Sequence, residues 1–75
     1  MEDEAKRAIE AILMVTEHPA DPALLAQLTE VSTDEVARLV GELRAEYESD
    51  NRGFVIAEVA GGYRFQSHPD LAPYL

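Results

Sequence analysis

The chain has no cysteine and no tryptophan. The first absence removes disulfides, thiolate catalysis and cysteine-ligated zinc together. Cations are scarce as well: six Lys and Arg stand against fifteen Asp and Glu, a formal net charge of −9. A duplex-binding domain replaces counterions on phosphate with clustered Lys and Arg, and the few here are scattered along the chain. The acid excess serves plain solubility equally well. No apolar run approaches the roughly 20 residues of a membrane span. Glu2-Asp3-Glu4 is the opposite of the basic start of a secretory signal. The expectation is an intracellular chain that does not enter a membrane.

Groups for catalysis are missing too. His18 and His68 each precede a proline in a break, with no carboxylates at metal-ligand spacing. Gly61-Gly62 lacks the third glycine and the following helix of a phosphate cradle, so it reads as a turn. Asp34, Glu42, Glu46 and Glu48 form a solvated helix face, and Ser32 is a helix cap before it is a nucleophile. No enzyme, metal or cofactor is expected.

What is present is a helical framework followed by a hairpin. Ser32-Thr33-Asp34-Glu35 reads as a capping box, Ser32 and Glu35 each satisfying one amide of the first turn. Val36, Leu39, Val40, Leu43 and Tyr47 then recur at three- and four-residue spacing, one apolar stripe on a third helix. Asp50-Asn51-Arg52-Gly53 ends it, with Asn51 and Gly53 suited to positive φ. Phe54 to Ala60 has strand composition, Gly61-Gly62 supplies a two-residue turn, and Tyr63 to Ser67 returns. That turn places Ala60 opposite Tyr63 and Glu58 opposite Phe65. Phe54, Ile56, Tyr63 and Phe65 then share the core side, and Val55, Ala57 and Val59 the outer side with Arg64 and Gln66.

Upstream, Ala5, Ala8, Ile9, Ile12, Leu13 and Thr16 mark the inner face of a first helix from about Asp3 to Glu17, with Glu2, Asp3 and Glu4 at its positive end. His18-Pro19-Ala20-Asp21-Pro22 breaks it. Asp21 then caps a short second helix, about Pro22 to Leu28, that buries Leu24, Leu25 and Leu28. Thr29-Glu30-Val31 is the next turn, with Val31 plugging the angle between helices. The fold class is α+β and mostly helical: a winged helix-turn-helix, three helices followed by a β-hairpin wing, filling residues 1–75 as one domain. A domain this small buries only about 60% of its unfolded surface, so a partner or more chain is its route to stability.

Two features point to protein partners. The first helix carries apolar residues beyond its inner face, Ala11, Met14 and Val15, and the outer hairpin side is unusually apolar. With Val55, Val59 and Tyr63, these form the candidate self-contact. The same flank is equally explained by cover from the hairpin or the closing segment. The third helix sets a single Arg38 amid carboxylates, a poor reader of base edges. The competing function is a winged-helix transcriptional regulator, with Arg38, Arg52 and Arg64 on DNA.

The run Arg52-Gly53-Phe54-Val55-Ile56-Ala57-Glu58-Val59-Ala60-Gly61-Gly62-Tyr63-Arg64-Phe65, followed by His68-Pro69-Asp70-Leu71-Ala72-Pro73-Tyr74, resembles the amino-terminal half of segregation and condensation protein B (ScpB). Ala8-Ile9-Glu10-Ala11-Ile12-Leu13-Met14, Pro19 and Leu24-Leu25-Ala26 resemble that family's first two helices. The family often has an aromatic near the position of Met14. The resemblance implies a bacterial, cytoplasmic and nucleoid-associated protein of two winged-helix domains, of which this is the first. It implies a homodimer, contact with the kleisin ScpA, and through it an indirect link to the SMC ATPase in a condensin-like complex for chromosome condensation and segregation. ATP hydrolysis would belong to that ATPase.

Overall fold

Proline and capping chemistry divide the chain near where the sequence leads one to expect, although the first helix ends at Val15, two residues before the expected Glu17. The computed structural model describes residues 2–75, with side chains from Asp3 onward. Its order is α1 (Glu2–Val15), α2 (Pro22–Thr29), α3 (Thr33–Ser49), β1 (Phe54–Val59), β2 (Gly62–Ser67) and a closing 3-10 helix, Pro69–Tyr74. The charge expected from Glu2 at the start of α1 lies outside the described side chains.

Helix caps follow the expected residues. Asp21 caps α2 by accepting from the Ala23 amide at 2.8 Å, and Ser32 caps α3 by accepting from the Glu35 amide at 3.0 Å. The expected box closes on one side only. Both Glu35 carboxylate oxygens are held instead by Arg38, at 2.9 and 2.7 Å. An i,i+3 guanidinium fork outcompetes a single amide. After α3, Asn51 takes the left-handed conformation (φ 55°), whereas Gly53 does not.

The core lies where α1, α2 and α3 meet the inner side of the hairpin. Ile9, Leu25, Val36, Leu39 and Val40 are its largest fully buried side chains, each contributing about 1.5–3 kcal/mol by leaving water. Ala5, Leu13, Leu43, Ile56 and Tyr63 extend it, and Ile12, Val31, Tyr47 and Phe65 pack against its margin. The α3 stripe and the Val31 plug thus stand as the spacing predicts.

Helix α2 is rolled by about one residue from the expected face. Leu25 and Ala26 point inward, while Leu24 and Leu28 are 49% and 57% exposed. Ala26 is thus buried beside Leu25, and the larger leucines are turned outward.

The hairpin differs from expectation by two residues in register. Ile56 pairs with Phe65, Glu58 with Tyr63 and Val59 with Gly62, so the turn is Ala60-Gly61. Both turn residues have positive φ, 51° and 81°. That geometry matches strand twist in a two-residue hairpin. Gly62 is needed elsewhere. A Cβ there would lie 2.9 Å from the Ala20 carbonyl oxygen and from Pro19 Cβ. The reason for this close approach is a short antiparallel bridge: Ala20 and Tyr63 exchange both backbone hydrogen bonds, at 2.7 and 2.9 Å. The α1–α2 break is therefore a one-residue third strand of the wing. A shift of two preserves strand faces, so Ile56, Tyr63 and Phe65 still face the core.

Candidate functional site

The outer flank of α1 begins with spacing. Arg7, Ala11 and Met14 fall at i, i+4 and i+7 and share one side, with Glu10 beside them. None of these is needed by the core, so Ala11 and Met14 stand in the open and Met14 is 73% exposed. The last turns of α3 and both strands run alongside this flank. Together they enclose an open groove of about 690 Å³, lined by Arg7, Glu10, Ala11 and Met14 from α1, Tyr47 from α3, and Phe54 and Phe65 from the hairpin.

Three rings form its apolar wall. Tyr47 and Phe54 lie 4.9 Å apart between centroids, Phe54 and Phe65 also 4.9 Å at near right angles, and Tyr47 and Phe65 5.7 Å. These are the tilted and edge-on geometries that ring quadrupoles favour. The Tyr47 hydroxyl donates a hydrogen bond to Glu10 Oε2. Burial of the phenol, and then the carboxylate beside it, pushes the Tyr47 hydroxyl well above the ordinary tyrosine range, since both disfavour the phenolate. Among the described residues Arg7 has no ion-pair partner, so the rim carries one unengaged cation and one carboxylate with an oxygen to spare.

The six candidate contact residues do not form one patch. Ala11 and Met14 line the groove; Val15, 72% exposed, sits beside them on α1 but outside it. Val55 is half-buried and lines a second hollow of about 590 Å³ beyond Tyr47, with Glu48, Ala57 and His68. Val59 is exposed at the hairpin tip. Tyr63 is a correction: at 8% exposure it belongs to the core, because the Ala20 bridge draws β2 inward at that residue, and it offers no area to a partner. Conversely, the sequence reading assigns Tyr47, Phe54 and Phe65 to the core alone. Phe54 departs from it: at 38% exposure it lies outside the buried core, at the outer end of β1, whereas Tyr47 and Phe65 pack at the core margin. The signal for their place in the groove is their position at the end of α3 and along the hairpin strands, where the core tapers and rings protrude.

The other face of α3 is an ion-pair lattice. Arg38 is forked between Glu35 and Glu42, and Lys6 of α1 reaches Glu42 at 3.2 Å and also Glu46. The hydrogen bonds from Glu46 and Glu42 raise the Lys6 ammonium above its ordinary value, and the Arg38 guanidinium holds Glu35 below the usual carboxylate range. In each case a bond to the charged form favours it. Arg52 lies 3.6 Å from Asp50. Two of the three arginines on which a DNA-reading function would rest are thus engaged by carboxylates, and Arg64 is exposed on β2. His68 Nδ1 accepts from the Asp70 amide at 3.1 Å, capping the 3-10 helix. Among the described residues no group of three or more His, Cys, Asp and Glu is placed to hold a metal, and no helix is long and apolar enough to cross a membrane.

The fold and this surface define the class: a winged-helix domain whose third helix is acidic and ion-paired, with an apolar aromatic groove beside its first. The family model for the segregation and condensation complex subunit ScpB matches residues 7–75. The chain belongs to this ScpB family. It is 40% identical over 74 residues to the segregation and condensation protein B homolog of Coxiella burnetii, covering 93% of this chain and 34% of that one. It is 42% identical over 72 residues to segregation and condensation protein B of Halalkalibacterium halodurans, covering 95% and 36%. The chain thus spans about a third of the length of these curated relatives. Among solved structures, ScpB from Mycobacterium tuberculosis superposes with a TM-score of 0.91 at 30% identity, over 99% of this chain and 46% of that chain. A dimer of ScpB N-terminal domain complexed with ScpA peptide superposes at 0.87 and 26% identity, over 96% of this chain and 90% of that chain.

Proposed function

We propose that this chain is the amino-terminal winged-helix domain of a longer, two-domain, non-enzymatic scaffold subunit. It self-associates, binds the kleisin ScpA, and through it joins the SMC ATPase in a cytoplasmic, nucleoid-associated complex that condenses and segregates the bacterial chromosome. The observation that carries this reading is the superposition on the dimeric N-terminal domain with its ScpA peptide, which extends over 96% of this chain. The surface supports it. The apolar flank of α1 (Ala11, Met14, Val15) and the hairpin residues Val55 and Val59 are the contacts assigned to self-association. The ion-paired acids of α3 occupy the face that a DNA-reading winged helix would use, so this domain makes no direct duplex contact.

Sedimentation velocity over a concentration series tests the reading, first alone and then with the cognate ScpA. A dimer, and co-sedimentation with ScpA, are expected. A monomer that ignores ScpA at every concentration overturns it.

A further inference from the structure

We propose that the free edge of β1 receives an extended, positively charged segment of a partner protein, which adds to the hairpin as a further strand. This goes beyond the self-association reading above and does not rest on it.

Register decides which backbone groups face outward. In an antiparallel ladder, hydrogen-bonded and non-hydrogen-bonded pairs alternate. The His68 amide donates to the Gly53 carbonyl at 2.9 Å. Val55, Ala57 and Val59 therefore bond across to β2, while the amides and carbonyls of Phe54, Ile56 and Glu58 point the other way. Tyr63, opposite Glu58, shows the same phase: its outward amide and carbonyl are the pair exchanged with Ala20. The chain thus covers the outer edge of β2 at that point with its own backbone. Among the described residues no backbone bond covers the outer edge of β1. Its three outward residues span about 14 Å, and a row of donors and acceptors at that repeat is matched by another extended backbone.

Nothing in β1 guards this edge. Natural edge strands are blunted by lysine, proline or a bulge, whereas Phe54–Val59 pairs without a bulge and has Glu58 as its one charge. Beside it lies the hollow of about 590 Å³ between β1 and the end of α3, which has room for the side chains of an added strand. Charge selects the occupant. The hollow carries two carboxylates, Glu48 and Glu58, against one guanidinium, Arg44, and none of the three has an ion-pair partner among the described residues. In a chain of net charge −9 this favours a segment bearing Lys or Arg. It disfavours a second copy of the same edge, which would bring the same carboxylates. Pairing in the plane of the sheet also leaves open the face that carries Val55 and Val59.

The probe is the blocked peptide Lys-Val-Lys-Val-Lys-Val-Lys, titrated into the isotope-labelled domain while amide exchange is followed residue by residue by NMR. Exchange at Phe54, Ile56 and Glu58 is expected to slow by about tenfold or more at saturation. Val55, Ala57 and Val59, already bonded to β2, are expected to change little. The same peptide N-methylated at its central residues keeps every charge and side chain but cannot donate, and should bind about tenfold more weakly or worse. Glu58→Pro removes one outward amide and leaves the ladder to β2 intact. It should bind more weakly than Glu58→Gln, which removes the charge alone; circular dichroism checks both folds, and the peptide pair decides if the proline variant unfolds. Equal binding by the two peptides, protection spread over the acidic face of α3, or no binding at millimolar peptide overturns the proposal. Protection of these three amides that rises with protein concentration alone gives the edge to a second copy and overturns it too.

Discussion

The hydroxyl of Tyr47 donates to Glu10, and this bond joins the last turns of α3 to the middle of α1, both residues lining the groove. Tyr47 also packs against Phe54 and Phe65 and lines the second hollow on the far side. One side chain therefore holds together the three elements that shape the surface. Removing its oxygen leaves the rings in place and cuts only the tie, so Tyr47→Phe is expected to cost no more than about 1 kcal/mol, solvent screening included. Urea unfolding of the variant against the parent measures it.

The same bond sets an alkaline limit on stability. Tyr47 is raised above its ordinary value of 10.0 by burial and by Glu10, and Lys6 above 10.5 by its bonds to Glu46 and Glu42. A group whose folded pKa is raised contributes stability that is complete below its unfolded pKa and is lost as pH rises through the folded one. Both contributions therefore fade above about pH 10. Thermal unfolding followed between neutral pH and that region is expected to show a falling midpoint. The fall should be shallower in Tyr47→Phe and again in Lys6→Met. Parallel curves for the parent and both variants would remove these two groups as the cause.

Gly62 and Ala60 should respond in opposite senses. A methyl at Gly62 meets the Ala20 carbonyl oxygen and Pro19 Cβ at 2.9 Å, beside backbone that is itself hydrogen-bonded to Tyr63. Gly62→Ala is expected to destabilise by about 1–3 kcal/mol, the cost of overpacking. Ala60 already sits at φ 51°. An L side chain there costs roughly 1–2 kcal/mol. Ala60→Gly relieves that cost, less the entropy of the added glycine, and should stabilise by up to about 1 kcal/mol. Urea midpoints of the two variants against the parent check both signs.

This pair also explains what the sequence could and could not reveal. The α3 stripe, its Ser32 cap and the hairpin faces are legible because period and capping are local properties. Adjacent glycines, however, read alike whether they serve a turn or a close approach. Gly62 serves the approach of Pro19-Ala20, a contact distant in sequence that no local rule reports. Alternation with Phe65 along the strand already places Tyr63 on the core side; the same long-range bridge completes its burial and so removes it from a contact surface. Glu35 departs from its expected role for a related reason: two acceptors and an arginine three residues on offer a better bond than the cap amide. The groove residues Ala11 and Met14 are visible as surplus apolar positions. The groove itself is not, since its lining comes from three separate parts of the chain.

Helix α2 gives a contrast between two leucines three residues apart. Leu25 is fully buried and Leu28 is 57% exposed, although the apolar pattern alone ranks them equally. Leu25→Ala is expected to cost about 2–5 kcal/mol, transfer and cavity terms together. Leu28→Gln removes little packing and should stay within about 0.5 kcal/mol of the parent. Equal losses in chemical denaturation would mean that α2 presents both leucines to the interior, as the unrolled helix would.

Ionic strength separates protein association from duplex binding by sign. Each copy carries a net charge of −9, so two copies repel at long range. The residues assigned to self-association, Ala11, Met14, Val15, Val55 and Val59, are by contrast all apolar. Salt shortens the screening length from about 10 Å at 0.1 M to about 3 Å at 1 M, which weakens the long-range repulsion far more than a desolvated contact. Self-association is therefore expected to tighten as salt is added. Duplex binding, driven by counterion release, would do the reverse and lose affinity steeply over the same range. Sedimentation velocity of the domain and anisotropy of a labelled duplex, run on one salt series, read both quantities. A dimer that loosens with salt would place the main attraction in charge pairs rather than in these apolar residues. Measurable duplex binding that fades with salt would return Arg64 and the hairpin to the role of a DNA contact.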